Sequence, residues 1–231
     1  SATVFAEKQI ALDPEDHRGY INSALAVMNK NQFQDGVAIL LPVAETFDQE
    51  YPIQYLLGNA YYQQQKNEEA LVYLNRALKI SPNSRNVIHI LAIISDSMHM
   101  WTESDSLYES LISSDSTDAQ AFNNYAYSLV ERDEKLEFAL QIAMKAINLV
   151  PGNAAYLDTY GWILFKLGKV DEAMNYIQNS IELEASNAVV LEHLGDVLMS
   201  ANRKKDALEY YRKAFEFDIN NNTLKNKAYP E

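Results

Sequence analysis

The stretch YPIQYLLGNAYYQQQKNEEALVYLNRALKISPNS, residues 51–84, decides the fold. Between Tyr51 and Gln65, the residues Gln54, Leu57, Gly58 and Tyr61 fall at helical spacing and form one packing stripe. Lys66-Asn67 makes a turn. Glu68 and Glu69 then place acids at the positive start of a second helix, whose stripe is Leu71, Leu74, Ala77 and Leu78. Ser81-Pro82-Asn83 stops that helix, because proline disfavours helical geometry in the residue before it. Two helices and two short turns use all 34 residues.

The unit returns along the chain. Small residues stand at Ala24, Gly58, Ala92, Ala126, Gly161 and Gly195, in steps of 34, 34, 34, 35 and 34. A second series runs beside it at Gly36, Ala70, Ser104, Ala139, Ala173 and Ala207. A fixed period of this size is the signature of a solenoid, in which each unit covers its neighbour's apolar face. The small residues have a physical reason: paired helices approach closely only where no bulky side chain intervenes.

The unit resembles the tetratricopeptide repeat, with its W-x2-L-G-x2-Y, A-x3-F and P pattern. Leu57, Gly58, Tyr61, Ala70, Ala77 and Pro82 match, while Gln54 stands in for the tryptophan and Leu74 for the phenylalanine. The template covers 17–50, 51–84, 85–118, 119–153, 154–187 and 188–221. Residues 1–16 read as the second helix of a further repeat, leaving Val4, Phe5 or Ile10 partly uncovered, and 222–231 as a short cap. The resemblance implies an all-α, right-handed α-solenoid: six helix pairs and a leading half repeat, about 13 antiparallel helices.

Fidelity varies between copies. Segment 85–118 diverges most, and segment 119–153 carries one extra residue, expected near Asp133-Glu134-Lys135. Pro42 falls deep in the second helix of segment 17–50 and predicts a bend near Ala38 to Pro42. Asn220-Asn221-Asn222 breaks the pattern, so Thr223 to Ala228 is expected to form at most a capping turn, with Phe215 and Phe217 close to that end.

Composition narrows the function. The net charge is −13, which argues against binding nucleic acid or an anionic membrane, since both need a basic surface. Between Arg85 and Arg132 no Lys or Arg occurs, while seven acids do; this stretch is either a solvated face or a dock for a basic partner. The chain has no cysteine, which excludes disulfides and thiolate metal sites, and no apolar run long enough to insert in a membrane. It opens on Ser1-Ala2-Thr3 and looks like a piece of something longer.

Chemistry is not expected. No pair among His17, His89, His99 and His193 has metal-ligand spacing on one helix. Glu192, His193 and Asp196 share a helix but read as ordinary surface rather than a metal site. The seven glycines are scattered and make no phosphate loop. A solenoid offers no strained elbow to activate a serine. No enzyme activity, cofactor or metal is therefore assigned.

The resemblance places the first helix of each unit on a concave inner wall. That wall would carry Ile21 and Leu25, then Tyr55, Asn59 and Tyr62, then His89, Ile93 and Asp96. Asn123, Tyr127 and Val130 follow, then Asp158, Trp162 and Phe165, and finally Glu192, Asp196 and Met199. Asparagines pair with peptide backbone, and rigid aromatics bury area at low entropic cost. Some relatives hold C-terminal carboxylates with a clamp of bases; here those places hold Tyr55, His89, Asp158 and Glu192. A protein or peptide with apolar anchors and Lys or Arg residues is the expected partner. Trp162 either meets it or packs between neighbouring first helices. Self-association through uncovered terminal helices is the alternative role. The final repeats also resemble those of bacterial tetratricopeptide proteins, many of which look like exported or lipid-anchored envelope proteins. The resemblance leans toward the periplasm or envelope over the cytoplasm, a compartment that composition alone leaves open.

Overall fold

The structure, a computed structural model, describes residues 13–230, so the half repeat expected over 1–16 lies largely outside the described residues. Among those residues the secondary structure is helical throughout. The helices are α1 (His17–Met28), α2 (Phe33–Leu40), α3 (Tyr51–Gln63), α4 (Asn67–Ile80), α5 (Arg85–Ser97), α6 (Trp101–Ser114) and α7 (Ala119–Glu131). They continue as α8 (Leu136–Leu149), α9 (Ala154–Lys166), α10 (Val170–Leu183), α11 (Ala188–Ser200), α12 (Lys204–Phe217) and α13 (Asn222–Ala228). None is long and apolar enough to cross a membrane.

Each pair is joined by the same turn. One residue adopts the left-handed conformation (Asn31, Gln65, His99, Asp133, Gly168 or Asn202), and the amide of the next residue returns to a carbonyl of the first helix. Lys66 N–H donates to Tyr61 O at 3.0 Å, Lys169 to Leu164 at 2.9 Å and Arg203 to Leu198 at 2.9 Å. This closure satisfies a carbonyl that the helix end would leave bare. The extra residue of 119–153 appears here as a second left-handed position: Asp133 has φ 54° and Lys135 φ 46°. Lys135 then caps α8.

The first helices of the C-terminal half also start alike. Asp118 Oδ1 accepts from Ala121 N–H, Asn153 Oδ1 from Tyr156 N–H and Asn187 Oδ1 from Val189 N–H. Asn221 does the same for Leu224 N–H at 3.0 Å. The tail therefore does not leave the pattern. Asn221 lies 34 residues after Asn187 and starts a true seven-residue helix in register, where the sequence suggested a capping turn. It stops at Ala228 because Pro230 holds Tyr229 out of helical geometry. Phe215 is half-buried with its ring 6.0 Å from Tyr229, and Phe217 is exposed.

The chain forms two compact units, Ser1–Leu111 and Ile112–Glu231. In the first, α1 to α5 each pack on the next, and first helices also touch one another, α1 on α3 and α3 on α5. At Gly58 an added Cβ would stand 2.6 Å from Leu74 Cγ and 3.0 Å from Leu74 N, so only glycine lets α3 and α4 approach this closely. Pro42 ends α2 rather than bending it. The helix stops at Leu40 and passes into a 3-10 turn over Leu41–Val43, since proline has no N–H to continue the ladder.

Gln54 explains its place in the tryptophan position. It is fully buried, and its Nε2 donates to Ala44 O at 3.1 Å and Phe47 O at 3.4 Å, tying down the segment that Pro42 frees. Gln54→Leu is expected to cost about 1–2 kcal/mol and to speed proteolysis between Leu41 and Glu50, read by limited digestion. Unchanged digestion rates would remove this role.

In the second unit α7 touches α9 and α9 touches α11, while each helix also packs on the next through to α13. Its core includes Tyr125, Leu129, Ile163, Leu164, Ile177, Leu194 and Ala214. Val130, expected on the inner wall, is fully buried here instead, since α7 turns that side against its neighbours.

Candidate functional site

In the first unit the residues expected on the first-helix face are half-buried: Tyr55, Asn59 and Tyr62 on α3, and His89, Ile93 and Asp96 on α5. Ile21 on α1 is half-buried and Leu25 exposed. Tyr55 stacks on Tyr51, with ring centroids 5.8 Å apart and planes 4° from parallel. Burial, and then the neighbouring Tyr51, push the Tyr55 hydroxyl above its ordinary pKa. Tyr108 of α6 is buried beneath this face; its burial, with Asp96 and Tyr62 nearby, raises its hydroxyl strongly. A separate cleft of about 440 Å³ opens among α4, α5 and α6, lined by Leu71, Leu78, Leu91, Met100 and Leu107.

The second unit shows a different arrangement. Asp158 is 5% exposed, Trp162 9% and His193 6%. His193 Nδ1 donates to the Asp158 carboxylate, at 3.0 and 3.1 Å from its two oxygens. The His193 ring lies flat on Trp162, with centroids 4.0 Å apart and planes at 10°. Trp162 Nε1 donates to Glu131 Oε1 at 3.0 Å, and Phe165 stacks on Trp162 at 5.1 Å. Lys166 Nζ sits 5.4 Å from the centroid of the Trp162 ring while pairing with Asp133 at 3.0 Å. Trp162 thus packs between α7 and α11.

A third rung follows. Lys227 Nζ of α13 lies 2.8 Å from Glu192 Oε1 and 2.8 and 2.9 Å from the oxygens of Asp196. Tyr211 OH of α12 donates to Asp196 Oδ1 at 2.7 Å, and the ammonium rests 5.5 Å from the centroid of the Tyr211 ring. Burial opposes the charge of Lys227, but hydrogen bonds and charges from Asp196 and Glu192 outweigh it and hold the ammonium above its ordinary pKa. Burial first, then the bond to Asp196 and the two carboxylate charges, push the Tyr211 hydroxyl strongly upward.

Carboxylates of this face are thus met by side chains from the following helix pair. Asn123 differs: it is 7% exposed, and its Oδ1 is buried with no hydrogen-bond partner among the described residues. Tyr127 and Phe165 are half-buried and Met199 is exposed. Glu192, His193 and Asp196 point to Lys227 and Asp158. Among the described residues no group of three or more His, Asp or Glu is placed to hold a metal.

Residues 51–84 and 161–221 match the tetratricopeptide repeat family. These two stretches are tetratricopeptide repeats (TPRs). It is 27% identical over 145 residues to a TPR repeat-containing protein of Pseudomonas aeruginosa, covering 62% of this chain and 25% of that one. It is 30% identical over 122 residues to the type IV pilus assembly protein PilF of P. aeruginosa, covering 52% and 48%. The chain therefore spans about a quarter and about half of the lengths of these curated relatives. A solved structure of P. aeruginosa PilF aligns over 72% of this chain and 76% of its own with a TM-score of 0.62 and 26% identity. A tetratricopeptide repeat protein from Parabacteroides merdae aligns over 98% and 90% with a TM-score of 0.77 and 14% identity, which shows the shared fold.

Sequence reasoning missed two residues of the TPR face, His193 as a partner of Asp158 and Lys227 as a partner of Glu192 and Asp196. A signal existed. Lys227 lies 34 residues after His193, and each reaches back 35 residues to the carboxylate at the fifth position of a first helix.

Proposed function

We propose that this chain is a non-catalytic scaffold whose first-helix face binds a protein or peptide with apolar anchors and basic residues. TPR proteins mediate protein–protein interactions, and the likeness to PilF, named for type IV pilus assembly, supports work within a multi-protein complex. The observation that carries the reading is the face of the second unit. There Tyr127 and Phe165 are half-buried and Met199 is exposed, in a row that also holds the buried Oδ1 of Asn123 and is otherwise rich in carboxylate. Aromatic anchors at a rigid surface bury area with little entropy lost, and a row of acids favours a partner carrying Lys or Arg.

Residue choice matters for the test. Trp162 and Asp158 are knitted into the fold, so their loss would confuse binding with stability. Phe165 is the better probe. A photo-crosslinking amino acid at Phe165 is expected to capture a protein partner in cells, whereas the same group at exposed Val72 on the second helix α4 captures none. Phe165→Ala is then expected to weaken binding of the captured partner about tenfold or more. Equal capture at both positions, or unchanged affinity in a folded Phe165→Ala chain, would reject the first-helix site.

A further inference from the structure

Two of the three carboxylate rungs in the second unit are made by residues on full-length helices, Trp162 on α9 and His193 on α11. The third is made by a cation on α13, a helix of seven residues. Only Leu224 and Ala228 of that helix are buried. A helix this short is marginal on its own and depends on its docking contacts. Those include Leu224, Ala228, the donation from Arg212 Nε to Ala228 O at 3.3 Å, the packing of Phe215 and Arg212 on the ring of Tyr229 at its end, and the Lys227 ammonium itself.

The place that Lys227 occupies has the chemistry of a receptor for a basic side chain. Two carboxylates converge on one ammonium, and a buried tyrosine ring forms the floor. Charge-assisted bonds and a cation–π contact act on it together. Glu192 and Asp196 are also the acids that the sequence placed on the inner wall opposite a basic ligand.

We propose that Lys227 is an internal stand-in for a lysine or arginine of the partner, and that α13 is an autoinhibitory element which leaves the Glu192–Asp196 pair when that residue arrives. The inference rests on the first-helix face being the docking surface. Tethering gives Lys227 a high effective concentration, so a lone external cation competes poorly. A partner succeeds when further contacts, such as an apolar anchor at Phe165, add to the exchange of one cation for another. This weakens ligands that offer charge alone, without shutting them out at high concentration.

The test uses the full chain and a labelled hexalysine peptide at fixed ionic strength, with affinity read by anisotropy. Lys227→Ala is expected to bind the peptide about tenfold more tightly than wild type, and Lys227→Arg to return to wild-type affinity. Adding Asp196→Asn to Lys227→Ala should abolish the gain, which separates this pair from the other acids of a strongly negative chain. Lys227→Gln, which keeps the side chain over Tyr211 and removes its charge, gives the same readout if alanine loosens α13. In wild type, saturating peptide should speed hydrogen exchange at the amides of residues 224–228. Equal affinity of wild type and Lys227→Ala, no binding by either, or α13 amides that stay protected with peptide bound would overturn the proposal. Failure of the face itself reads out separately, as loss of the Phe165 cross-link while the hexalysine response persists.

Discussion

Gly195→Leu is expected to lower the stability of the second unit by about 3 kcal/mol and to unlatch its C-terminal end. An added Cβ at Gly195 would stand 2.5 Å from Tyr211 Cδ1, and closer still to the adjoining ring carbon. Tyr211 cannot simply swing away. Its hydroxyl is bonded to Asp196 at 2.7 Å, and Lys227 lies over its ring. Displacing the ring breaks the Asp196 bond and moves the floor of the Lys227 site in the same step. Because repeats depend on their immediate neighbours, the loss should be local before it is global. Hydrogen exchange would show early opening of α11 to α13 with slower change at α7 to α9. A melting curve and exchange pattern matching wild type would mean the helix pair can relax around a leucine.

Tyr125→Ala is expected to cost about 3–5 kcal/mol, measured as a lowered midpoint in urea with the slope preserved. Tyr125 is fully buried in α7, and its ring meets Phe138 of α8 edge-on at 5.9 Å. Truncation leaves a cavity where the pair with the lengthened turn is joined, and removes the aromatic contact as well. The turn makes this pair sensitive: Asp133 and Lys135 both hold left-handed geometry, a cost that helix packing has to offset. A loss below about 1 kcal/mol would show that α7 and α8 close over the gap.

Much of this was legible in the chain because its causes are local. Helical spacing placed the stripes, and small residues at fixed intervals marked where helices come close. Acids marked a helix start at Glu68 and Glu69, and the extra residue after Glu131 appears as an extra left-handed turn position. The C-terminal tail was readable in the same terms, since Asn221 repeats Asn187 and Lys227 repeats His193 at a distance of 34. Three adjacent asparagines hid that register, because composition alone looks like a break. Pro42 was read as a bend, whereas the chain leaves the helix there, and the difference lies in Gln54. A buried amide from the next helix stabilises the carbonyls of Ala44 and Phe47, which makes ending the helix cheaper than bending it.

The candidate site was legible only as a row of positions. The sequence by itself determined that Asp158, Glu192 and Asp196 belong to first helices, and that Trp162 lies among them, since helical periodicity assigns each position to its helix. Tertiary structure decided who answers each acid: Trp162 for Glu131, His193 for Asp158, and Lys227 for both Glu192 and Asp196. These partners stand 31 or 35 residues apart, so each depends on how one helix pair docks on the next. A hydrogen bond needs its atoms placed within a few tenths of an ångström, whereas a helical stripe tolerates much more. A repeating pattern therefore reveals which side chains share a face, and only the packed helices show which of them are already held by the chain itself.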